Sequence, residues 1–211
     1  MDTIKVIPLD LEGTLVTLDY SLAVYYREIP SIYAVKNGIS FDESLARVTG
    51  EYDRLGSQQY EWYDIKYWFR YFQIEGYQAV LARCRNYVAC YPETISVLSR
   101  LSESYPLVVS TGTAAEFLPY LMSDIKRYFV RTFSSVSDYG QVKTPDFYLK
   151  VCKEMDVSPQ AVVHIGDNRQ FDFTSPVEAG MRAFYLDRDG HSGLDSVIDL
   201  RQFASRLMPG V

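Results

Sequence analysis

Ile4-Lys5-Val6-Ile7-Pro8-Leu9-Asp10-Leu11-Glu12-Gly13-Thr14 is the stretch on which the reading of the chain turns. Ile4, Val6, Ile7 and Leu9 make a short apolar run, as in a strand covered on both faces. Two carboxylates and a glycine follow it at once. Pro8 has no N–H to give a neighbouring strand, so an irregular strand end is expected there. In open α/β sheets ligands gather beyond the carboxyl ends of strands, so the residues after each strand are the ones to examine for chemistry.

Downstream of Pro92 the pattern alternates. Ile95, Leu98 and Leu101 mark a helix, and 107–110 a buried strand. Thr113-Ala114-Ala115-Glu116 has the spacing of a capping box and predicts a helix directly after that strand. A strand is expected over 128–133. Thr144-Pro145 reads as an N-cap with proline at the first helical position. A strand over 161–165 follows, then a second cap-plus-proline signal at Ser175-Pro176 with Gly180 ending that helix. A strand over 183–186 and a helix over 195–207 close the chain. Strands alternating with helices predict crossover units and a parallel sheet.

Residues 17–90 read differently. Twelve of the 18 tyrosines and both tryptophans lie between Tyr20 and Tyr91, so this block has its own aromatic core. Trp62, Ile65, Phe69 and Phe72 recur at helical steps, and Tyr63, Tyr67 and Tyr71 form a second stripe. Pro30, Gly38, Gly56 and Gly76 divide the block into about four helices. The expected architecture is therefore an α/β core, a Rossmann-like parallel sheet flanked by helices. The core is built from 1–16 and 91–211 and interrupted by a helical domain at 17–90. The aromatic stripes are expected mainly in the core of that domain.

Hydrophobic residues make up 47% of the 211 and charged residues 23%, a balance that excludes wholesale disorder. The net charge of −6 speaks against a nucleic-acid partner, which needs clustered Lys and Arg. An anionic small molecule remains open if a metal or local cation offsets the field. Cys84, Cys90 and Cys152 are an odd set with no metal spacing to His164 and His191. They read as reduced thiols of a cytoplasmic protein. No basic-then-apolar leader is visible, and no run reaches the roughly 18 apolar residues of a membrane helix, so no membrane partner is expected.

After the successive strands come Asp10 and Glu12; Ser110, Thr111 and Gly112; Lys143 ahead of a helix; and Asp167 and Asp172. Carboxylates gathered at Asp10, Asp167 and Asp172 would repel one another unless a cation joined them, and hard oxygen donors favour Mg²⁺. Mg²⁺ and Lys143 together suit a phosphoryl group. Ser110 and the backbone N–H groups at Thr111 and Gly112 can donate to its oxygens. An aspartate can form an aspartyl-phosphate, and Glu12 can protonate the leaving oxygen. His164, inside an apolar strand, reads as a hydrogen-bonded core residue. His191 reads as a loop residue and Arg169 as a surface charge.

These residues resemble the four motifs of the haloacid dehalogenase superfamily, which consists mostly of phosphatases. Asp10-Leu11-Glu12-Gly13-Thr14, Ser110, Lys143-Thr144-Pro145, and Gly166-Asp167 with Asp172 stand in for them in order. The resemblance implies Asp10 as nucleophile and Mg²⁺ ligand. It implies that Glu12 gives a backbone carbonyl to the metal and its side chain to acid/base work. Ser110 and Lys143 would hold the phosphoryl group, and Asp167 and Asp172 the Mg²⁺. Residues 17–90 lie where the family carries a helical cap that selects substrates. Most of the phosphatases have Asp where this chain has Glu12, and the dehalogenases have a larger non-acidic residue there and need no metal. The retained acid favours phosphoryl transfer. The extra methylene displaces the carboxyl by about 1.5 Å, so the pocket must be shaped to it. The expected activity is Mg²⁺-dependent hydrolysis of a small-molecule phosphomonoester. A phosphomutase or phosphotransferase using the same residues, and a low-turnover binding or regulatory protein on this fold, are the alternatives.

Overall fold

A computed structural model describes residues 3–190, 193 and 195–208. The expectation for His191 falls outside them. Six strands, β1 (Ile7–Leu9), β2 (Leu107–Thr111), β3 (Phe129–Ser134), β4 (Val163–Gly166), β5 (Arg182–Leu186) and β6 (Ser196–Val197), form one sheet in the order β3-β2-β1-β4-β5-β6. Every adjacent pair is parallel. The order reverses between β1 and β4, and their carboxyl ends open a crevice there.

Alternation along the strands sends side chains to two apolar layers. Ile7, Leu9, Leu107 and Val109 pack with Leu98 and Leu101 of α5 (Thr94–Ser102) and Phe203 of α8 (Leu200–Leu207). Val6 and Val108 pack on the other face against Phe147, Tyr148 and Val151 of α6 (Pro145–Glu154). Thr144 caps α6 as expected, accepting from the Phe147 N–H with Pro145 just inside. Pro8 does sit in a central strand. Ile7 N–H donates to Pro106 on the β2 side and Asp10 N–H to Ile165 on the β4 side. The missing donor of Pro8 therefore falls on the β4 side, where a single register pair, Leu9↔Ile165, joins β1 to β4.

The inserted block is helical. In α1, Asp19–Ala23 continues through a π-helical turn (Val24–Glu28) into Ile29–Asn37, followed by α2 (Phe41–Leu55), α3 (Ile65–Tyr71) and α4 (Tyr77–Cys84). Gly38 and Gly56 end helices as expected, but Pro30 does not divide α1. The π turn ends in an Ile29 N–H bond to the Val24 carbonyl, and the widened backbone takes in the proline ring without breaking the helix. Trp62 is not on α3 with Ile65 and Phe69. It lies on a preceding 3₁₀ turn (Tyr60–Tyr63), because Asp64 caps α3 through Lys66 N–H.

Three further expectations are corrected. No capping box forms at Thr113, whose hydroxyl is engaged by Glu12 instead, and the next helix begins only at Leu118. The helix expected from Ser175 starts earlier. Asn168 accepts from Gln170 and Phe171 N–H and opens α7, a π-helical turn (Arg169–Thr174) running into Ser175–Glu178. The 195–207 segment first adds β6 to the sheet before α8 begins after Asp199.

The chain leaves and re-enters the sheet domain side by side. Val16 and Cys90 form an antiparallel bridge, Thr17 N–H donates to the Ala89 carbonyl at 2.8 Å, and Tyr91 N–H donates to Leu15. No helix of the described residues is long and apolar enough to cross a membrane.

Candidate active site

A cavity of about 470 Å³ lies between the carboxyl end of the sheet and the inserted helices. Its floor is built from the ends of β1, β2 and β4 and from α7. Asp10, the first residue beyond β1, is buried. Its Oδ1 accepts from Lys143 Nζ at 2.6 Å and its Oδ2 from the Thr14 hydroxyl at 3.1 Å. Lys143 Nζ also donates to Asp172 Oδ1 at 2.5 Å. Asp10, Asp167 and Asp172 bring carboxylate oxygens within 4.8 Å of one another.

Two glycines permit that approach. Gly13 has φ 79°, and a Cβ there would stand 2.2 Å from Asp167 Oδ2. A Cβ on Gly166 would stand 2.3 Å from Asp172 Cγ. The floor is packed against its own carboxylates, with no room for a methyl group between them.

The carboxylates are electrostatically unequal. Burial raises Asp10 despite Lys143. Burial, reinforced by the charges of Asp10 and Asp172, brings Asp167 to about 7. Asp172 is buried more deeply than Asp167, but Lys143 and His164 outweigh that and hold it at about 2. Lys143 loses to burial and gains more from Asp10 and Asp172, so it stays firmly protonated. The imidazole of His164 lies 2.9 Å from Asp172 Oδ1 and 3.1 Å from the Tyr148 hydroxyl, which itself donates to the Phe171 carbonyl. His164 is thus the hydrogen-bonded core residue expected, and it supports Asp172 from below.

Glu12 is turned into the cavity. Its Oε1 accepts from Ser21 of α1 and its Oε2 from the Thr113 hydroxyl at 2.8 Å, which in turn accepts from Thr111 at 3.0 Å. Burial raises Glu12 to about 7 against these hydrogen bonds. The extra methylene has its counterpart in the structure, since hydroxyls on both sides of the cavity meet the longer side chain.

Of the residues expected at the site, Asp10, Glu12, Thr111, Gly112, Lys143, Asp167 and Asp172 line the cavity. Ser110 does not. Strand alternation and register put it on the same face as Asp10, where it is fully buried and its hydroxyl has no partner among the described residues. Thr111, one residue on and also expected at the site, lines the cavity. Sequence reasoning missed Ser21 and Arg188, and gave Thr14, quoted in the first motif, no role of its own. Ser21 was legible in principle, because Leu18, Ser21, Leu22 and Tyr25 share one helical face. Arg188 had no signal. It donates to the Gly13 and Thr14 carbonyls, pairs with Glu93 at 2.8 Å and lies 3.5 Å from the Tyr91 ring centroid, fixing the loop that carries Glu12.

Residues 4–180 match the family model described as haloacid dehalogenase-like hydrolase. A search of curated proteins finds no match. Among solved structures, a HAD phosphatase from Thermococcus onnurineus is 23% identical with a TM-score of 0.87, covering 97% of this chain and 98% of that one. A 2-haloacid dehalogenase from Pseudomonas syringae pv. Tomato DC3000 is 20% identical with a TM-score of 0.64, over 97% and 98% of the two chains. The YfnB protein of Bacillus subtilis, in a crystal form bound to magnesium, is 13% identical with a TM-score of 0.66, over 98% and 100%. At these identities the likeness is one of fold.

Proposed function

The chain belongs to the haloacid dehalogenase-like hydrolase family, and from that premise we propose that it is a Mg²⁺-dependent phosphatase acting on a small-molecule phosphomonoester through an aspartyl-phosphate. The observation that carries this reading is the meeting of Asp10, Asp167 and Asp172 within 4.8 Å. Three hard oxygen donors, two of them raised by mutual repulsion and burial, make a donor set suited to a small divalent cation. Asp10, Asp167 and Asp172 would hold Mg²⁺, which supplies positive charge against the phosphoryl oxygens.

The protein's own groups do the rest. Lys143 Nζ, already fixed by Asp10 and Asp172, adds a cation beside the transferring group. An Asp10 carboxylate oxygen attacks phosphorus while the bond to the alkoxide oxygen breaks, and Glu12 gives that oxygen a proton. Glu12, now a carboxylate, takes a proton from the water that attacks the phosphoenzyme, releasing inorganic phosphate and free Asp10. With Glu12 near 7, both protonation states are accessible at neutral pH. Ser21 and Thr113 aim the carboxyl.

Residues 17–90 act in this reading as a cap that closes over 1–16 and 91–211. The paired crossings at Val16–Cys90 and Thr17–Ala89 support a hinge there. Three free thiols, Cys84 and Cys152 among them buried, fit a cytoplasmic setting. Phosphate release from 4-nitrophenyl phosphate with and without Mg²⁺ tests the function. Turnover should need the metal and fall on the order of 10³-fold or more in Asp10→Asn. Equal rates in both proteins would reject the reading, as would halide release from a 2-haloacid without metal.

A further inference from the structure

The wall of the cavity facing the carboxylate floor belongs to the inserted helices. Leu18, Leu22, Tyr25 and Tyr26 come from one face at the start of α1, and Trp62 and Tyr63 from the 3₁₀ turn. Tyr25 is held between two rings, at 5.8 Å and 12° to Phe117 and 6.4 Å and 25° to Trp62. Its hydroxyl donates to the Tyr63 carbonyl and its own carbonyl accepts from Tyr52. The aromatic wall is therefore fixed before anything binds. Leu18, Leu22 and Tyr26, all more than a third exposed, carry the apolar surface out to the mouth.

The charges are distributed just as unevenly. Among the residues lining the cavity, Asp10, Glu12, Asp167 and Asp172 stand against one cation, Lys143, and all five are on the floor. The inserted helices contribute no Lys, Arg or His to the lining. A second anionic group on the substrate would meet a wall of rings and hydroxyls, Ser57 and Tyr26 among them, that offers it no cation, in a field of its own sign.

Building on the phosphatase reading, we infer that the substrate's leaving group is uncharged and largely apolar with a planar ring, and that its phosphate is its sole anionic group. The phosphate goes to the floor, and the ring goes against the Phe117–Tyr25–Trp62 stack, where offset or edge-on packing adds to simple burial. Short carboxylated phosphoesters and 2-haloacids are disfavoured by the same wall.

Binding tests this separately from turnover. With Mg²⁺ present, tryptophan fluorescence should report benzylphosphonate binding at least about 10-fold more tightly than phosphonoacetate. In hydrolysis, kcat/KM for benzyl phosphate should exceed that for glycerol phosphate by about 10-fold and that for phosphoglycolate by about 100-fold. Leu22→Arg, at an exposed position, should narrow the benzyl-to-glycolate ratio by about 10-fold by supplying the missing cation. Phosphonoacetate binding as tightly as benzylphosphonate would overturn the inference, as would a ratio that the arginine does not move. Benzylphosphonate binding without hydrolysis of any ester would support it and overturn the phosphatase reading instead.

Discussion

Replacing Thr111 by Val removes the hydroxyl that donates to Thr113 and so indirectly steadies Glu12. The expected loss is in kcat, by about 10-fold, since a misplacement of the acid by well under an ångström costs less than the roughly 100-fold of a full one. Ser110→Ala should raise KM for the phosphate ester and leave the melting temperature equal or slightly higher, because the deleted hydroxyl, in register beside Asp10, is buried with no partner among the described residues. A KM that Ser110→Ala leaves unmoved would remove Ser110 from the site. Glu12→Gln should lower turnover more than phosphate affinity. Asp167 and Glu12 both sit near 7, above their unfolded carboxylate values of about 4. The metal-free folded state thus holds their protons more tightly than the unfolded chain. Stability from these groups is present at low pH and is lost as pH rises from about 4 through 7. Mg²⁺ binds the deprotonated form, so its gain in melting temperature should be larger at pH 8 than at pH 5.5. An equal gain at both would contradict this.

Among the elements, the loop after β1 and the start of α7 carry the tightest constraints. Gly13→Ala would force an L side chain into φ 79° and onto Asp167. The backbone strain alone is about 1–2 kcal/mol, and Mg²⁺ affinity should fall with it, measurable by calorimetry. Asn168→Ala removes the cap of the helix bearing Asp172, at a cost of about 1 kcal/mol. The alternating β/α order and the helical insert were legible because apolar runs and aromatic periodicity are local signals. So were Asp10, Glu12, Lys143, Asp167 and Asp172, each beside a strand end or a cap. Ser110 was named from its strand end and is not among the lining residues, where Thr111 stands one position on. The false capping box at Thr113 has a non-local cause. Spacing showed a Thr able to bond locally, whereas a partner 101 residues away in the chain takes the bond. Pro30 was read as a breaker because a π turn leaves no mark in composition.

Over the whole molecule, the inserted helices and the sheet domain meet through Ser21 and Glu12, through Tyr20 and Tyr25 on Phe117, and through the Lys66–Glu116 ion pair at 2.6 Å. That pair is partly exposed and worth about 0.2–1 kcal/mol. Glu116→Gln should raise acrylamide quenching of tryptophan fluorescence as Trp62 becomes accessible, and high salt should mimic it in the unmutated protein. Quenching unaffected by both would mean the pair does not hold the inserted helices against Phe117 and its neighbours. The chain enters and leaves the insert at adjacent, antiparallel-bridged positions. Topologically the entire helical block is therefore an overgrown hairpin connection. A two-residue reverse turn grafted from Thr17 to Ala89 would close the backbone without altering the strand order, which makes the helical block an exchangeable module on an unchanged sheet scaffold.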